Sequence, residues 1–301
     1  MLSGRIRVLD FDGSVTWQPG LLECSDPIIL DLRSLGREAR LWADCGQAAR
    51  IRRCLTPELR DAVTMLGSGD YHYVSALLLE QFEDPISVIV FDHHPDWDTL
   101  PPKYGCGAWV SRAIEQENIA QVLIMGNASA DLRFPSIFTG NHRGLRQGRI
   151  RSLPWEYPPP GFLPRFGLFG KELKHSPLET LNHALDHLPT RKVYLSIDKD
   201  CLRSSFALTN WEEGRLDLDF LIAALRVIRE RCEIAGADIT GEYSPPFFTS
   251  RWKALCSRID HPADYTARGK SPEDIGRVNG STNRAILEAL KPSACHSSTA
   301  R

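Results

Sequence analysis

The residues best suited to chemistry lie in the stretch FDHHPDWD, 91–98, which follows the apolar run ISVIV. It contains three carboxylates and two histidines. If the chain stays extended beyond the strand, Asp92, His94 and Asp96 point to one side and His93 points to the other. Two carboxylates and an imidazole that converge at a strand end repel each other and lose solvation unless a cation lies among them. The stretch therefore predicts a site for a divalent metal ion.

A second acidic cluster has the same form. The run YLSIDKD places Asp198 and Asp200 two residues apart at the end of another apolar stretch, so both side chains are expected on one side. Ligands of an open parallel sheet bind beyond the carboxyl ends of its strands. Together the two clusters offer four carboxylates and one imidazole, enough ligands for two divalent cations.

The elements that must position these residues alternate between strands and helices. Apolar, β-branched runs predict strands over 6–13, 27–34, 86–92, 121–126, 192–198 and 233–240. Helical patterns cover 55–66, 73–82, 107–116, 176–188, 216–231 and 281–290, with a capping box at Ser176 and Glu179. Near-continuous apolar strands separated by helices predict a mainly parallel sheet covered on both faces, a three-layer αβα architecture.

Two segments interrupt this alternation. Residues 128–172 are rich in proline, glycine, arginine and aromatic residues, which predicts a loop-rich insertion. The polar tail over 291–301 is expected to be disordered. The interpretation is a single α/β domain over 1–290.

Composition limits the classes of function. The net charge is −2, with 42% hydrophobic and 25% charged residues, which indicates an ordinary globular protein without a nucleic-acid or membrane partner. The eight cysteines form no C-x-x-C pair, which favours reduced thiols over a disulfide framework. No signal peptide or membrane-spanning run is evident. We expect a cytoplasmic protein that acts on a small molecule.

With these motifs in hand, the sequence resembles the arginase/agmatinase-like ureohydrolases, a manganese-dependent superfamily. The hallmark D-A-H-x-D corresponds to D-H-H-P-D, with His93 in the alanine position, and S-x-D-x-D corresponds to the residues from Ser196 to Asp200. The upstream G-G-D-H corresponds to GSGDYH, with Tyr71 as an extra residue. These blocks occur in the family's order between about residues 65 and 245.

The resemblance implies an arginase/deacetylase-like fold and a binuclear centre, with Mn²⁺ favoured over Zn²⁺ because carboxylates dominate the ligands. Asp92 and Asp198 would bridge the two ions. One ion would also bind His72 and Asp96, and the other would also bind His94 and Asp200. Asp70 is the substitute for His72 if the inserted residue displaces the histidine. Trimers or hexamers are frequent in the family, which leaves homo-oligomerisation open.

The chemistry implied by the resemblance is hydrolysis of a linear C–N bond of guanidino, formimino or amide type. A hydroxide that bridges the two metal ions would attack the carbon, because both ions lower the pKa of the shared water. Asp96 and Asp200 are the residues expected to orient this nucleophile.

Three departures from the family pattern concern the substrate. The run CLRSS follows S-x-D-x-D in place of the family's usual Asp-Pro pair. A histidine that precedes a glycine and passes a proton to the leaving amine in arginases is replaced by Cys106, before Gly107. The thiol either transfers the proton or only packs. The late glutamate that pairs with the substrate cation corresponds to Glu242, one position further from Asp238 than is usual. A regular strand would turn Glu242 away from the pocket, whereas a bulge at Gly241 would restore it.

Two alternative functions remain open from the sequence. One is a deacetylase-like amidohydrolase with a single zinc ion on Asp92, His94 and Asp198, although the tandem histidines usual before such a site are not evident. The other is a catalytically reduced family member that keeps metal for structure or ligand binding. The number of metal ions per chain distinguishes the single-zinc deacetylase from the binuclear hydrolase. Turnover of a panel of substrates distinguishes the catalytically reduced member from both enzymes.

Overall fold

The architecture is centred on one eight-stranded parallel sheet. The computed structural model describes the chain except for residues 1, 19, 24–25, 134, 157–170, 261–266, 268 and 292–301. The strand order is β2-β1-β4-β10-β9-β5-β7-β8, and a separate antiparallel pair joins β3 to β6. The strands are β1 Ile6–Asp10, β2 Ile28–Asp31, β3 Trp42–Ala43, β4 Val63–Met65, β5 Ile86–Phe91, β6 Tyr104–Gly105, β7 Ile119–Met125, β8 Ile150–Leu153, β9 Lys192–Asp198 and β10 Glu233–Thr240.

Helices cover both faces of the sheet, as predicted. They are α1 Arg33–Ala39, α2 Cys45–Cys54, α3 Val74–Leu79, α4 Trp109–Ala113, α5 His142–Arg146, α6 Pro177–Asp186, α7 Leu218–Arg231, α8 Arg251–Asp260 and α9 Pro272–Leu290. Among the described residues no helix is both long enough and apolar enough to span a membrane.

Alternation along the buried strands divides the core into two layers. In β5, Val88 and Val90 join a cluster with residues of α1 to α4, while Ile89 and Phe91 join a cluster with residues of α6, α7 and α9. Successive side chains of a strand point to opposite faces, so a strand buried on both sides must be apolar throughout. The three-layer αβα fold predicted from the sequence is confirmed.

The predicted helix over 55–66 is wrong. Only Pro57–Leu59 forms a single 3-10 turn, and Val63–Met65 then forms strand β4 between β1 and β10. The helix-start signature at Thr56 and Pro57 is genuine but brief, because the β-branched run that follows fits a fully buried strand. Strand β4 leads directly into the loop that carries His72.

Two further expectations change. The Ser176 side chain makes no capping hydrogen bond at the start of α6, so the predicted capping box is wrong, and a reciprocal one joins Asp44 and Gln47 in α2. Residues 128–172 contain more regular structure than a loop-rich insertion, since they include α5 and the edge strand β8. Residues 134 and 157–170 of that segment, and residues 292–301 of the predicted tail, lie outside the described residues.

Candidate metal centre

The candidate ligands come from loops at the carboxyl ends of neighbouring central strands. The loop after β4 carries His72, the loop after β5 carries Asp92, His94 and Asp96, and the end of β9 carries Asp198 with Asp200 just beyond it. Because β4, β10, β9 and β5 are adjacent and parallel, their carboxyl ends meet at one edge of the sheet. The strand order therefore brings together six candidate ligands that are up to 128 positions apart in sequence.

The first cluster surrounds the Nδ1 atom of His72. This atom lies 3.3 Å from Asp92 Oδ2, 3.1 Å from Asp96 Oδ2 and 3.4 Å from Asp198 Oδ2. Ligand atoms that share one ion at about 2.1 Å are about 3.0 Å apart along the edge of an octahedron. The spacing therefore suits His72, Asp92 and Asp96 as ligands of one divalent cation, with Asp198 next to His72. The extra residue Tyr71 is accommodated in a 3-10 turn, Gly69–Tyr71, that ends directly before His72.

The second cluster consists of Asp92, His94 and Asp200. His94 Nδ1 lies 2.9 Å from Asp200 Oδ2 and 3.8 Å from Asp92 Oδ1. The two oxygens of Asp92 thus face the two different clusters, an arrangement that suits a bridging carboxylate.

The route by which Asp96 reaches the first cluster differs from the extended chain that we expected. Strand β5 ends at Phe91, and Asp96 has a φ of 48°, in the left-handed region that disfavours residues with a side chain. The Asp96 carboxylate accepts a hydrogen bond of 2.8 Å from Trp109 Nε1 at the start of α4. A turn of the backbone, rather than strand alternation, therefore aims Asp96, and the indole of Trp109 holds it.

The centre contains more buried negative charge than its own cations balance. Burial, and then the charges of Asp96 and Asp200, raise the pKa of Asp92 well above its usual range. Burial and the charge of Asp200 raise the pKa of Asp198 to about 8. His72 Nδ1 and Asp92 Oδ2 are buried and find no hydrogen-bond partner among the described residues. Two ligand-type atoms without partners, within a set of carboxylates and imidazoles, fit a divalent metal ion.

Buried hydroxyl groups and Asp238 form a hydrogen-bonded chain on the Nε2 side of the His72 ring, away from the cluster. His72 Nε2 lies 2.8 Å from Ser196 Oγ, which donates a hydrogen bond of 2.7 Å to Asp238. Asp238 accepts a second bond of 2.8 Å from the Tyr194 hydroxyl. Because the Ser196 proton is directed to Asp238, the serine oxygen accepts the Nε2 proton of His72. A neutral His72 ring that keeps its proton on Nε2 presents an unprotonated Nδ1 to the cluster, as a metal ligand requires.

Glu242 is not at the pocket wall, so its expected role as partner of a substrate cation is wrong. Gly241 does adopt a left-handed φ of 82°, but the Glu242 carboxylate is buried and forms an ion pair with Lys199. It also accepts hydrogen bonds from Asn279 at 2.9 Å and Asn283 at 2.6 Å, both on α9. Lys199, the residue between the two aspartates of the S-x-D-x-D block, therefore neutralises it.

Cys106 and Asp70 have different surroundings. Cys106 is half-buried, begins a 3-10 turn before α4 and lines the cavity above the ligands. Asp70 forms a buried ion pair with Arg40, with Nε and Oδ2 2.5 Å apart. This pair assigns Asp70 to packing of the loop, and not to the substitution for His72 that the sequence left open.

Glu212 is a pocket carboxylate that sequence reasoning missed. Its Oε2 lies 3.5 Å from His93 Nε2 and 3.7 Å from His94 Nε2, and these contacts lower the pKa of Glu212 below its usual range. His93 therefore does not point away from the centre, as strand alternation predicted. Glu212 lies in the irregular segment between β9 and α7, where no periodicity indicates which side chains face inward.

A cavity of about 750 Å³ opens over these residues. Its wall combines the carboxylates with the indole rings of Trp42, Trp211 and Trp252. A mostly apolar wall with a few polar groups at the base is typical of a small-molecule site.

The sequence and the fold were compared with those of known proteins. No family model matches the sequence. An uncharacterised protein of Thermotoga maritima is 28% identical over 254 residues, which cover 84% of this chain and 85% of that protein. The arginase of Bacillus subtilis is similar in structure with a TM-score of 0.59 and 11% identity, over 96% of this chain and 98% of the arginase.

A second solved structure, formimidoylglutamase of Bacillus subtilis, has a TM-score of 0.54 and 15% identity, over 96% of this chain and 87% of that enzyme. Identities this low establish a shared fold and not a shared reaction. The fold implied by the aspartate-rich motifs is thereby confirmed: the chain has the arginase/agmatinase-like ureohydrolase fold.

Proposed function

We propose that the protein is a hydrolase that cleaves a linear, non-peptide C–N bond of guanidino, formimino or amide type, with two divalent metal ions, Mn²⁺ preferred. The observation that carries this proposal is the convergence of six ligand-type side chains at the carboxyl ends of the central strands, with two buried ligand atoms left without hydrogen-bond partners. Such unpartnered buried atoms cost free energy unless a ligand completes them.

Each residue has a specific part in this proposal. His72 and Asp96 would hold one ion, His94 and Asp200 the other, and the carboxylates of Asp92 and Asp198 would be shared. Two ions bound there supply Lewis acidity and a water molecule of lowered pKa. The chain itself fixes the geometry, because Trp109 orients Asp96 and the Ser196 hydroxyl orients His72.

Metal content and turnover test the proposal directly. Protein stripped with a chelator and then loaded with Mn²⁺ should retain about two ions per chain, measured by elemental analysis after desalting. The loaded protein should release urea, formamide or ammonia from at least one member of a panel of guanidino, formimino and amide compounds. A single tightly held zinc ion would favour the deacetylase-like alternative. Full loading without turnover of any compound would favour the catalytically reduced alternative.

A variant of a shared ligand sharpens the metal test. Asp198→Ala should abolish loading at both positions, because Asp198 is proposed to serve both ions. Asp131→Asn is the matched control, since Asp131 also lines the cavity but lies outside the proposed ligand set. Normal metal binding by Asp198→Ala would refute the proposed ligand assignment.

A further inference from the structure

The charges that line the cavity indicate which substrates it accepts. Seven carboxylates and His94 line it, and among its described lining residues there is no lysine or arginine. Two divalent ions balance the four aspartates proposed as ligands. Three carboxylates, those of Asp98, Asp131 and Glu212, then remain above the centre, and no lysine or arginine among the described lining residues balances them.

Two of these three carboxylates are already engaged by the protein. Asp98 accepts a hydrogen bond of 2.6 Å from Thr139 Oγ1, and Asp131 accepts one of 2.9 Å from Ser129 Oγ. Glu212 differs, because its nearest described partners are the ring nitrogens of two histidines at 3.5 and 3.7 Å. Both contacts are made by Oε2, and a carboxylate has about four acceptor positions on its two oxygens. Glu212 therefore retains acceptor capacity toward the cavity.

The position of Glu212 is fixed by its loop. Asn210 accepts hydrogen bonds from Ser68 Oγ at 3.1 Å and from the Ser244 backbone at 3.0 Å. At Gly214, any Cβ would lie 2.1 Å from the Cys201 carbonyl carbon, so the chain packs closely there. A carboxylate carried on a braced loop loses little entropy when it binds a ligand.

We propose that Glu212 is the residue that binds the cationic group of the substrate and selects guanidinium or amidinium compounds over neutral amides. This inference rests on the proposed C–N hydrolase function and identifies its substrate class. Glu242, the residue expected from the family pattern to bind the substrate cation, is already neutralised by Lys199, so Glu212 is assigned that role. The adjacent Trp211 ring, 5.3 Å from His94, adds an aromatic face suited to a planar cation.

A pair of probes that differ in charge tests the role of Glu212. Butylguanidinium and the neutral N-butylurea have the same heavy-atom shape, so the ratio of their dissociation constants reports recognition of the cation. Calorimetric titration of the Mn²⁺-loaded wild-type protein should show butylguanidinium binding at least about tenfold more tightly, a difference of about 1.4 kcal/mol. Glu212→Gln should abolish this preference.

The neighbouring glutamate provides the matched control. Glu213 accepts hydrogen bonds from the backbone and hydroxyl of Ser204, at 2.9 and 3.0 Å, and is absent from the cavity wall. Glu213→Gln removes the same charge one residue away and should retain the preference. Equal loss of preference in both variants would overturn the proposal, because it would assign the effect to net charge alone.

Metal content distinguishes cation binding from mere positioning of His94. Glu212→Gln should still hold the wild-type quantity of Mn²⁺, whereas loss of metal would make Glu212 a positioning residue and overturn the proposal. Unchanged cation preference in the variant would also overturn it. Because the assay measures binding, a Glu212-dependent preference would support the inference even if no turnover were found. Turnover with an unaltered preference would leave the hydrolase function intact and refute only the role of Glu212.

Discussion

At the scale of single residues, the orientation of His72 depends on a hydroxyl group that touches no proposed ion. The Ser196 hydroxyl oxygen accepts a hydrogen bond from His72 Nε2, and the hydroxyl group donates one to Asp238. Without it, the imidazole would lose the partner that fixes both its tautomer and its rotation.

We therefore expect Ser196→Ala to weaken Mn²⁺ binding by about 10- to 100-fold, the usual effect of removing a residue that orients a metal ligand. Titration of chelator-stripped protein with Mn²⁺ measures this affinity. Ser87→Ala is the control, because Ser87 is also buried on a central strand but bonds to Thr190. If both variants bound Mn²⁺ like the wild type, the hydroxyl chain would have no role in the centre.

Cys106 is the second residue whose role a substitution can decide. It lies half-buried on the cavity wall, and in the proposed reaction its thiol would supply the proton to the leaving nitrogen. Cys106→Ser should slow turnover of an accepted substrate by up to about 100-fold, the lower end of general acid–base contributions, with metal content unchanged. Cys256→Ser is the matched control, since Cys256 lines the same cavity from α8. A fully active Cys106→Ser variant would identify the thiol as packing only.

At the scale of elements, the sequence predicted what depends on local pattern and missed what depends on distant partners. The continuous apolar runs of β5 and β9 identified buried strands, and the acidic residues after them identified the edge where ligands meet. Strand β4 is an exception, because the helix-start signature at Thr56 and Pro57 precedes it and three residues are too few to outweigh that signature. It is a strand because β1 and β10 lie on both sides of it.

The same reasoning explains the two glutamates. A strand-end register could not place Glu242, because its direction is set by Lys199 and by two asparagines of α9. A lysine between two aspartates at a strand end was nevertheless a signal, since a buried ammonium must find a carboxylate. Glu212 gave no such signal, because it lies in an irregular loop.

The turn after β10 offers a test of how closely the elements around the centre are packed. Gly241 combines a φ of 82° with a close approach, since any Cβ there would lie 2.4 Å from Asp198 Oδ1. Gly148 has a similar φ of 68° in open space. Gly148→Ala should lower the free energy of unfolding by about 1 kcal/mol, the cost of the left-handed conformation.

Gly241→Ala should lower it by roughly 2 kcal/mol more, because the methyl group must displace the β9 turn. Denaturant unfolding of the two variants and the wild type measures both effects. Equal destabilisation would mean that the turn yields without strain.

At the scale of the whole molecule, the centre makes the stability of the metal-free fold depend on pH. Burial raises the pKa of Asp198 to about 8, whereas an aspartate of the unfolded chain titrates near 3.9. Burial lowers the pKa of His72, but contacts with Asp92 and Asp96 outweigh this and raise it well above 6.5. In both cases the folded state binds protons more tightly than the unfolded state. The stabilisation is therefore complete at low pH and is lost as pH rises through the folded-state pKa values.

Asp200 has the opposite dependence but acts outside this range. Burial raises the pKa of Asp200, but the charge of His94 outweighs it and lowers the pKa below 3.8. Its contribution is therefore already complete above about pH 5. Between pH 5 and pH 8 the groups with raised pKa values decide the slope.

Metal-free protein should consequently lose stability between about pH 5 and pH 8. Mn²⁺ should stabilise the protein more at pH 8 than at pH 5.5, because the divalent ion replaces the protons that the folded centre otherwise needs. Thermal unfolding at several pH values, with and without Mn²⁺, measures both effects. A fall of several degrees in Tm is expected, since each kcal/mol corresponds to about 2–4 °C in domains of comparable size. Asp198→Asn, which cannot ionise, should flatten the pH dependence of the metal-free protein. A gain from Mn²⁺ that is equal at pH 5.5 and pH 8 would contradict the coupling, because the ion would then not compete with protons for these carboxylates.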